Sequence, residues 1–400
     1  MDDDRLNRRL LVWFSLGHLA NDSAPCALWL IAPAIGIAMD LSPAEVGLLI
    51  TISSVGAALG YLPAGILADR VARRGRLLLA TFWWVAIGYA VASQAPGFWS
   101  VALLLAVAGL GDAAWHPIAT GVLAQALPKR RAQALGIHAM GGSFAEVLAP
   151  LAVGFLLVHV DWRTALLLCA LPAALMGLAF LRVSAAVPAA RQGALAWADL
   201  WTLLQAWRSL RGLGMVAMIG VSNMAFMAIL AMAPLLLQRV YGLSSAETGL
   251  VFSGMVLAGA LSQPLVGRLS DGTGRKPLVV AGNLAAVAAC LAVAVSAAPA
   301  ATIPALIAAA TALAAIRSVI LVSAVEFAGQ RESTTLGLAF VLLDGVGALG
   351  AVLAGVVGNL DLHYAFFLAA AFAAGAAALA IPIPFTAKRA APAAAVDTAG

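Results

Sequence analysis

Long apolar runs separated by short polar segments dominate the pattern along the chain. Twelve runs are long enough to cross the hydrocarbon core as helices, for which roughly 20 apolar residues are needed. The runs are continuous rather than alternating, which indicates helices and not the strands of a barrel. We therefore predict an all-α integral membrane protein with twelve transmembrane helices. The predicted spans are 10–38, 44–67, 77–95, 98–120, 132–158, 163–183, 213–238, 246–267, 277–298, 301–324, 335–358 and 363–385.

The composition supports the bilayer as the solvent of this chain. Of its 400 residues, 63% are hydrophobic and 10% are charged, against about 45–50% and about 25% in soluble proteins. This excludes a soluble enzyme, a disordered protein and a nucleic-acid-binding protein. The sequence has neither a phosphate-binding loop nor a His/Cys group with metal spacing. We therefore expect no enzyme activity, no catalytic residue, no cofactor and no metal.

Positive charges fall almost entirely on one side of the predicted membrane. Twenty of the 23 Lys and Arg residues lie on the same side as the N-terminus, whereas Arg163 and Arg239 lie on the other side and Arg317 lies within a span. Cytoplasmic segments are enriched in Lys and Arg. We therefore expect a multi-pass protein of the bacterial inner membrane with both termini in the cytoplasm. The net charge of +5 follows from this topology.

The two halves of the chain repeat at an offset of 202 residues. Asn21 recurs as Asn223, and the segment 41–48 after the first span recurs as 243–250 with six of its eight residues identical in register. The offset covers six spans, so the two halves enter the membrane in the same direction. This predicts two parallel six-helix repeats related by an axis along the membrane normal, an arrangement that transporters use to build a central site.

The repeat divides the chain into four predicted parts. Residues 1–183 form an N-terminal six-helix bundle and residues 213–385 a C-terminal one. Between them, 184–212 is a cytoplasmic linker, and the tail 386–400 is expected to be disordered because it is rich in Ala and Pro. Apolar residues at helical spacing in the linker predict an amphipathic helix with indoles at headgroup level. They are Trp197, Leu200, Trp201, Leu204 and Trp207.

A charged loop follows the second span and recurs, slightly shorter, after the eighth. Its first copy has the spacing G-x-x-x-D-x-x-x-R-x-G-R/K. With the twelve spans and the repeat, this loop resembles the major facilitator superfamily, which implies that fold and transport by alternating access. An Asp that pairs with arginines can hold the protein closed in one of its two states. Alternatively, the charges only mark the cytoplasmic side of the membrane. The candidate gating residues are Gly65, Asp69, Arg70, Arg73, Gly75, Arg76, Gly267, Asp271 and Arg275.

Further motifs resemble those of drug exporters. The first span carries G-H-x-x-N-D from Gly17 to Asp22, and the fourth carries G-x-G-x-x-x-W-H-P from Gly109 to Pro117. Both resemble patterns of fosmidomycin-resistance-type exporters, with Trp115 where that pattern has Phe. The fifth span partly matches the small-residue motif of drug/proton antiporters. These resemblances imply proton-coupled export of a small molecule.

Ionisable residues within the spans cost about 2.5–3.5 kcal/mol each on insertion scales and therefore indicate function. His18 and Asp22 are four residues apart on the first span, and Asp112 and His116 are four apart on the fourth. The family resemblance places both spans on the central cavity. At ~1.5 Å per residue, the two carboxylates lie at a similar depth, where a histidine can share a carboxylate's proton. The expected proton-coupling residues are Asp22, Asp112, His18, His116 and Glu146.

A second set of polar residues is expected to line the substrate cavity: Asn21, Asn223, Arg317 and Asp344. Arg317 could bind an anionic substrate, or it could neutralise Glu326 or Asp344. Each acid–histidine pair could also be a packing contact without a further role. His138 is expected near the hydrated start of the fifth span.

The sequence thus predicts a secondary active transporter that exports a small molecule with proton coupling. One alternative is a proton-coupled uptake symporter for a small anion, with Arg317 as the substrate contact. Another is a transporter-like membrane sensor or scaffold, which would gain little from buried carboxylates. The expected partners are a small-molecule substrate, protons and the lipid bilayer, without nucleic acid, and the chain is expected to act as a monomer.

Overall fold

The computed structural model of the protein describes residues 2–189, 201, 205, 207–328 and 338–385. These residues form twelve long helices joined by short connections and contain no strand, which confirms the predicted all-α fold. The helices are α1 Asp2–Ala38, α2 Pro43–Arg70, α3 Arg74–Ala92, α4 Phe98–Ala126, α5 Arg131–Leu156, α6 Trp162–Phe180, α7 Leu210–Val240, α8 Ser245–Thr273, α9 Arg275–Val295, α10 Pro299–Ala328, α11 Leu338–Gly358 and α12 Tyr364–Ala380.

Ten of these helices, α2 to α11, are long and apolar enough to cross a membrane. Helix α12 is apolar but 17 residues long, and α1 is 37 residues long with polar side chains in its middle. Several helices extend beyond the predicted apolar runs, because a helix can continue from the hydrocarbon core into the headgroup region. Helix α1, for example, begins at Asp2 rather than at residue 10.

Two capping boxes start α2 and α8 and show the repeat in local structure. The Ser42 hydroxyl accepts from the Glu45 amide, while the Glu45 carboxylate accepts from the Ser42 amide at 2.8 Å. Ser244 and Glu247 form the same reciprocal pair, also at 2.8 Å. A capping box satisfies amide donors of the first helical turn. The repeated residues therefore set the same helix start in both halves.

The helices pack as two related groups. Helix α1 packs on α5 and α2 on α4, while α7 packs on α11 and α8 on α10. The two groups meet where α2 contacts α11 and where α5 contacts α8. The repeat relates α2 to α8 and α5 to α11, so these two interfaces are equivalent to each other. This is the arrangement expected of parallel repeats around a common axis.

Several close contacts between the halves lie at the helix ends opposite the basic loops. The Thr51 hydroxyl donates to the Ala348 carbonyl at 2.7 Å, and the Ala44 amide donates to Asn359 Oδ1 at 2.9 Å. Ser253 of α8 donates to a carbonyl of α5 at 2.7 Å. The halves are therefore closed against each other at this end, which the charge distribution predicts to be the outer side.

Most of the predicted linker helix and the whole tail 386–400 lie outside the described residues. Of the predicted interfacial indoles, Trp207 is 4% exposed and packs on Phe327 of α10, with ring centroids 5.2 Å apart. This indole therefore lies against the end of α10 in the C-terminal bundle. Its predicted place at headgroup level stays a prediction.

The predicted orientation can be tested by labelling single cysteines with a membrane-impermeant maleimide. In a background with Cys26, Cys169 and Cys290 replaced by Ala, Ala72→Cys in the loop after α2 should react only in inside-out vesicles. Ala297→Cys between α9 and α10 should react only in intact cells. Both positions are exposed, so access depends on the side of the membrane alone. Labelling of Ala72→Cys from outside would contradict the topology.

Candidate functional site

Polar side chains of α1 and α4 meet inside the N-terminal half. His18 Nε2 lies 3.2 Å from Asp22 Oδ2. His116 Nε2 lies 3.8 Å from Asp22 Oδ1 and 4.0 Å from Asp112 Oδ2, so it stands between the two carboxylates. The four-residue spacing puts each acid and its histidine on one helix face. The structure thus brings together the two pairs that the sequence predicted to face each other.

Asn21 holds the second carboxylate in place. Its Nδ2 donates to Asp112 Oδ1 at 2.6 Å and to the Asp112 carbonyl at 3.3 Å. Asn21 is fully buried and Asp112 is 8% exposed. Asn21 was expected to line the substrate cavity, which stays a prediction. In this state its amide supports Asp112, whose carboxylate and carbonyl both accept from it.

Hydrogen bonding determines how many protons the His18–Asp22 pair needs. His18 Nδ1 lies 2.9 Å from the His138 carbonyl, and a carbonyl oxygen only accepts, so Nδ1 carries a hydrogen. A neutral His18 would then present the lone pair of Nε2 to Asp22 Oδ2 at 3.2 Å. Two acceptors cannot form a hydrogen bond. One further proton therefore belongs between these atoms, either on the imidazole or on the carboxyl group.

His138 supports this arrangement from α5. It was expected near the hydrated start of its span, but it is 1% exposed, because its Nδ1 pairs with the Phe14 carbonyl at 3.1 Å. Its ring stacks on the ring of His18 with centroids 4.4 Å apart. Among the described residues its Nε2 has no partner, and a second buried N–H there would lack an acceptor. We therefore interpret His138 as a neutral positioning residue for His18.

A cation could also bridge part of this cluster. Among the described residues, three possible ligand atoms lie within 4.8 Å of one another, one each from His18, Asp22 and His116. We expected no metal from the sequence. The proton required between His18 and Asp22 already accounts for the shortest approach in the group.

Helix α5 approaches the cluster closely because residues 141 and 142 are both glycines. A Cβ atom on Gly142 would lie 2.7 Å from His18 Nε2 and 3.3 Å from Asp22 Oδ2. A Cβ atom on Gly141 would lie 2.1 Å from the Ser15 carbonyl oxygen. Small residues permit such helix contacts. The sequence analysis did not single out this pair, although adjacent glycines within an apolar helix were a visible signal.

Gly142→Ala is expected to displace the His18 imidazole from Asp22 and to lower the transport rate at least about tenfold, a barrier change of roughly 1.4 kcal/mol. The matched control is Gly136→Ala on the same helix, where an added Cβ meets no atom within 4 Å. Initial rates in cells, normalised to inserted protein, compare the two variants. Equal rates would show that close approach at Gly142 has no functional consequence.

A second polar group joins the two halves. Tyr61 of α2 donates its hydroxyl hydrogen to Asp344 Oδ2 of α11 at 2.8 Å. Arg317 Nη2 of α10 lies 3.7 Å from Asp344 Oδ1. The sequence left open whether Arg317 neutralises Glu326 or Asp344. The structure pairs Arg317 with Asp344, whereas Glu326 lies 3.2 Å from Arg275.

Local backbone geometry positions Asp344. It lies in a π-helical segment, Val341–Val346, near the start of α11, and such segments are frequent at functional sites. Tyr61 in turn connects the two polar groups, since its ring centroid lies 5.9 Å from that of His116. Tyr61 was not among the predicted site residues, because its partner Asp344 follows 283 residues later and no local pattern marks the pair.

The remaining predicted residues surround this second group. The Asn223 amide donates to the Leu343 carbonyl, which holds α7 against α11. Asn223 also lines a narrow cleft of about 10 Å³ together with Ser222 and Arg317. Glu146 is partly buried on α5, where its charge interacts with that of Arg317.

Arg74 anchors the first charged loop, although it was not among the predicted gating residues. Its Nη2 donates to Gln125 Oε1 at 2.6 Å. Gly75 packs so closely on the turn 184–186 that a Cβ would lie 1.9 Å from a carbonyl oxygen. The Asp69 side chain lies outside the described residues. The other predicted arginines of this loop are exposed: Arg70, Arg73 and Arg76.

In the second charged loop the acid is paired but exposed. Arg275 Nη1 lies 2.5 Å from Asp271 Oδ1, and the Asp271 side chain is 70% exposed. Exposed ion pairs contribute about 0–1 kcal/mol. Gly65 and Gly267 have room around them, since an added Cβ would find its nearest atom at 3.7 Å and 3.9 Å, respectively. Packing in this state therefore does not require glycine at either position.

We expect Asp69→Asn to reduce transport strongly, at least about tenfold, and Asp271→Asn to reduce it less than about threefold, because the exposed Asp271 pair contributes little. Both changes remove charge without changing volume. Transport rates at matched levels of membrane-inserted protein provide the measurement. Negligible effects at both positions would mean that these loops only mark the cytoplasmic side.

Comparisons with known proteins agree with this architecture. The sequence model of the Major Facilitator Superfamily matches residues 16–349 and 216–396. A solved bacterial homologue of the human lysosomal transporter Spinster, in an inward-facing and occupied conformation, superposes with a TM-score of 0.78 at 19% identity. The superposition covers 93% of this chain and 96% of that one.

Three curated relatives are similar in sequence. A putative metabolite transport protein of Haemophilus influenzae is 28% identical over 293 residues, which are 70% of this chain and 71% of the relative. A probable sugar efflux transporter of Helicobacter pylori is 33% identical over 134 residues, 32% of this chain and 33% of the relative. A gallate transporter of Pseudomonas putida is 34% identical over 170 residues, 40% of this chain and 37% of the relative. The chain therefore belongs to the Major Facilitator Superfamily, and it is a membrane transporter and not an enzyme.

Proposed function

We propose that the protein is a proton-coupled secondary active transporter that exports a small molecule by alternating access. The observation that carries the proposal is the contact between His18 Nε2 and Asp22 Oδ2 at 3.2 Å. Because His18 Nδ1 already donates to a carbonyl, this contact requires one proton that can leave again. A proton that binds and leaves within the bundle is what coupling to a proton gradient needs.

The neighbouring groups support a route for that proton. His116 lies within 4.0 Å of both Asp22 and Asp112, so it can pass a proton between the carboxylates after a small movement. Histidine is suited to this role because it gains and loses a proton near neutral pH. The repeat-equivalent of Asp22 is Met224, which supports proton handling in the N-terminal half and substrate contact in the other half.

Tyr61 supports coupling between these two tasks. It contacts the His116 ring on one side and hydrogen-bonds to Asp344 on the other. A change of charge at His116 or Asp22 can therefore alter the contact between α2 and α11, one of the two interfaces between the halves. Alternating access needs such a bistable contact.

Export is proposed from the resemblance to drug exporters in the first, fourth and fifth spans. The similarity to a sugar efflux transporter is compatible with that direction. Uptake of a small anion with protons is the second candidate. The observation that favours it is Arg317, a cation inside the bundle whose ion pair with Asp344 is as long as 3.7 Å. For either direction, we propose a monomer in the bacterial inner membrane with both termini in the cytoplasm.

Flux into proteoliposomes distinguishes these candidates. A screen of thermal stabilisation over small organic acids, sugars and drugs first identifies a ligand. With the ligand present on both sides, a pH gradient is then imposed. Export by antiport predicts accumulation on the side with the higher proton concentration, whereas symport predicts accumulation on the opposite side. A sensor or scaffold would produce no flux. Flux that is independent of the pH gradient would contradict the proposed proton coupling.

A further inference from the structure

Arg317 is a cation inside the bundle whose pairing with the described residues is weak. Its guanidinium group has five N–H donors, yet its only ion pair with a described residue is the contact of 3.7 Å to Asp344 Oδ1. That distance is longer than a hydrogen bond. The Arg317 side chain is 27% exposed, so its remaining donors face water. A ligand that enters from the water can therefore become their partner.

Asp344 cannot pair with Arg317 through both carboxylate oxygens while it accepts the hydrogen bond from Tyr61. Its Oδ2 accepts the Tyr61 hydroxyl at 2.8 Å, and only Oδ1 is directed to Arg317. Bidentate pairing of a guanidinium with a carboxylate needs both oxygens of one group. The donors of Arg317 are therefore available to a second carboxylate.

The space beside Arg317 is narrow in this state. It has a volume of about 10 Å³, room for about one water molecule, so a small organic acid can enter only when this cleft widens. Polar groups of Ser222 and Asn223 and the ring of Phe226 line it together with Arg317. Ser222 and Asn223 are held by hydrogen bonds to Asn283 and to the Leu343 carbonyl. The wall is thus fixed in place before a ligand binds.

We propose that Arg317 binds the carboxylate of a small organic acid in this cleft, and that the bound carboxylate replaces Asp344 as the partner of Arg317. Asp344 then loses its counter-charge, and its hydrogen bond to Tyr61, which joins α11 to α2, becomes free to rearrange. Substrate binding thereby acts on the same interface that the proton cluster reaches through Tyr61. As a statement about the transported substrate, this inference rests on the proposed transport function.

Binding of two probes to the purified protein in detergent tests the proposal without any gradient. Benzoate and benzamide have nearly the same shape, but only benzoate carries a charge at pH 7. Benzoate should raise the midpoint of thermal unfolding, and calorimetry should give at least about tenfold weaker binding for benzamide. Equal affinity for the two probes would overturn the proposal.

Three variants assign the binding to Arg317. Asp344→Asn removes the competing carboxylate and should strengthen benzoate binding roughly tenfold. Arg317→Gln should abolish it. The double variant Arg317→Gln with Asp344→Asn removes both charges at nearly constant volume, which protects folding, and it should also fail to bind benzoate. Benzoate binding by the double variant, or weaker binding by Asp344→Asn, would contradict the proposal.

These results are separable from those for the proposed function. Suppose that benzoate binding depends on Arg317 but transport is independent of a pH gradient. This combination would contradict proton coupling and would support the carboxylate site. The opposite result is proton-driven transport of a neutral molecule that does not require Arg317 and is not inhibited by benzoate. This result would contradict the carboxylate site and would support proton coupling.

Discussion

Asp22→Asn is expected to abolish accumulation driven by a proton gradient while downhill exchange of the substrate continues. The amide cannot take up the proton that the contact of 3.2 Å between His18 Nε2 and Asp22 Oδ2 requires. It keeps the size of the carboxyl group, and its NH₂ can donate to His18 Nε2, so the local packing survives. The expected loss of accumulation is at least about 100-fold, equivalent to more than about 2.7 kcal/mol.

Asp112→Asn is expected to have the same kind of effect, because Asp112 lies beyond His116 on the proposed proton route. The control is Asp40→Asn, an exposed position with a φ of 52°, a backbone conformation that Asn adopts readily. Uptake and exchange assays on the same vesicles separate coupling from transport. Normal pumping by both variants, with an unchanged pH profile, would place the coupling elsewhere. Glu146 would then be the next residue to test.

Gly355→Val and Gly47→Val are each expected to prevent closure of the outer side and to reduce transport at least about tenfold. A Cβ on Gly47 would lie 2.3 Å from the Ala351 carbonyl oxygen, and a Cβ on Gly355 would lie 2.3 Å from the Pro43 carbonyl oxygen. Backbone atoms cannot rotate away as side chains do. Helices α2 and α11 must therefore separate at this end, which favours the state that is open to the outside.

Labelling of Ala348→Cys with an impermeant maleimide measures this separation. Ala348 is fully buried beside Thr51, so its cysteine should react slowly from outside. In combination with Gly355→Val, the rate should rise at least about tenfold. Gly254→Val is the control, since an added Cβ there meets no atom within 4 Å. Unchanged labelling with Gly355→Val would mean that the contact between α2 and α11 does not close the outer side.

The sequence predicted those features that local pattern determines. Continuous apolar runs gave the helices, because crossing the hydrocarbon core demands about 20 apolar residues in a row. The repeat at an offset of 202 residues marked the two related halves, and the structure shows that its Ser and Glu residues cap equivalent helix starts. The acid–histidine spacing of four residues put His18 beside Asp22, since helix geometry alone fixes which residues share a face.

Features that depend on which helices meet could not be read in the same way. His138 looked hydrated from its position near a span start, but packing of α5 on α1 buries it against His18. Gly142 matters because of the side chains that it faces on another helix. Tyr61 acquires its role only when α2 meets α11. Such contacts arise from tertiary packing. The adjacent glycines at 141 and 142 signalled a close approach, but the sequence alone does not show which side chains they face.

The most direct test of the central claim is to measure proton flux and substrate flux together in one proteoliposome preparation. A pH-sensitive dye enclosed in the vesicles reports protons while an outward gradient of the stabilising ligand drives its exit. We expect protons to enter as the ligand leaves, and the proton signal to disappear in Asp22→Asn although ligand still leaves. Ligand exit by the unmodified protein at full rate, with no change in internal pH, would contradict proton coupling.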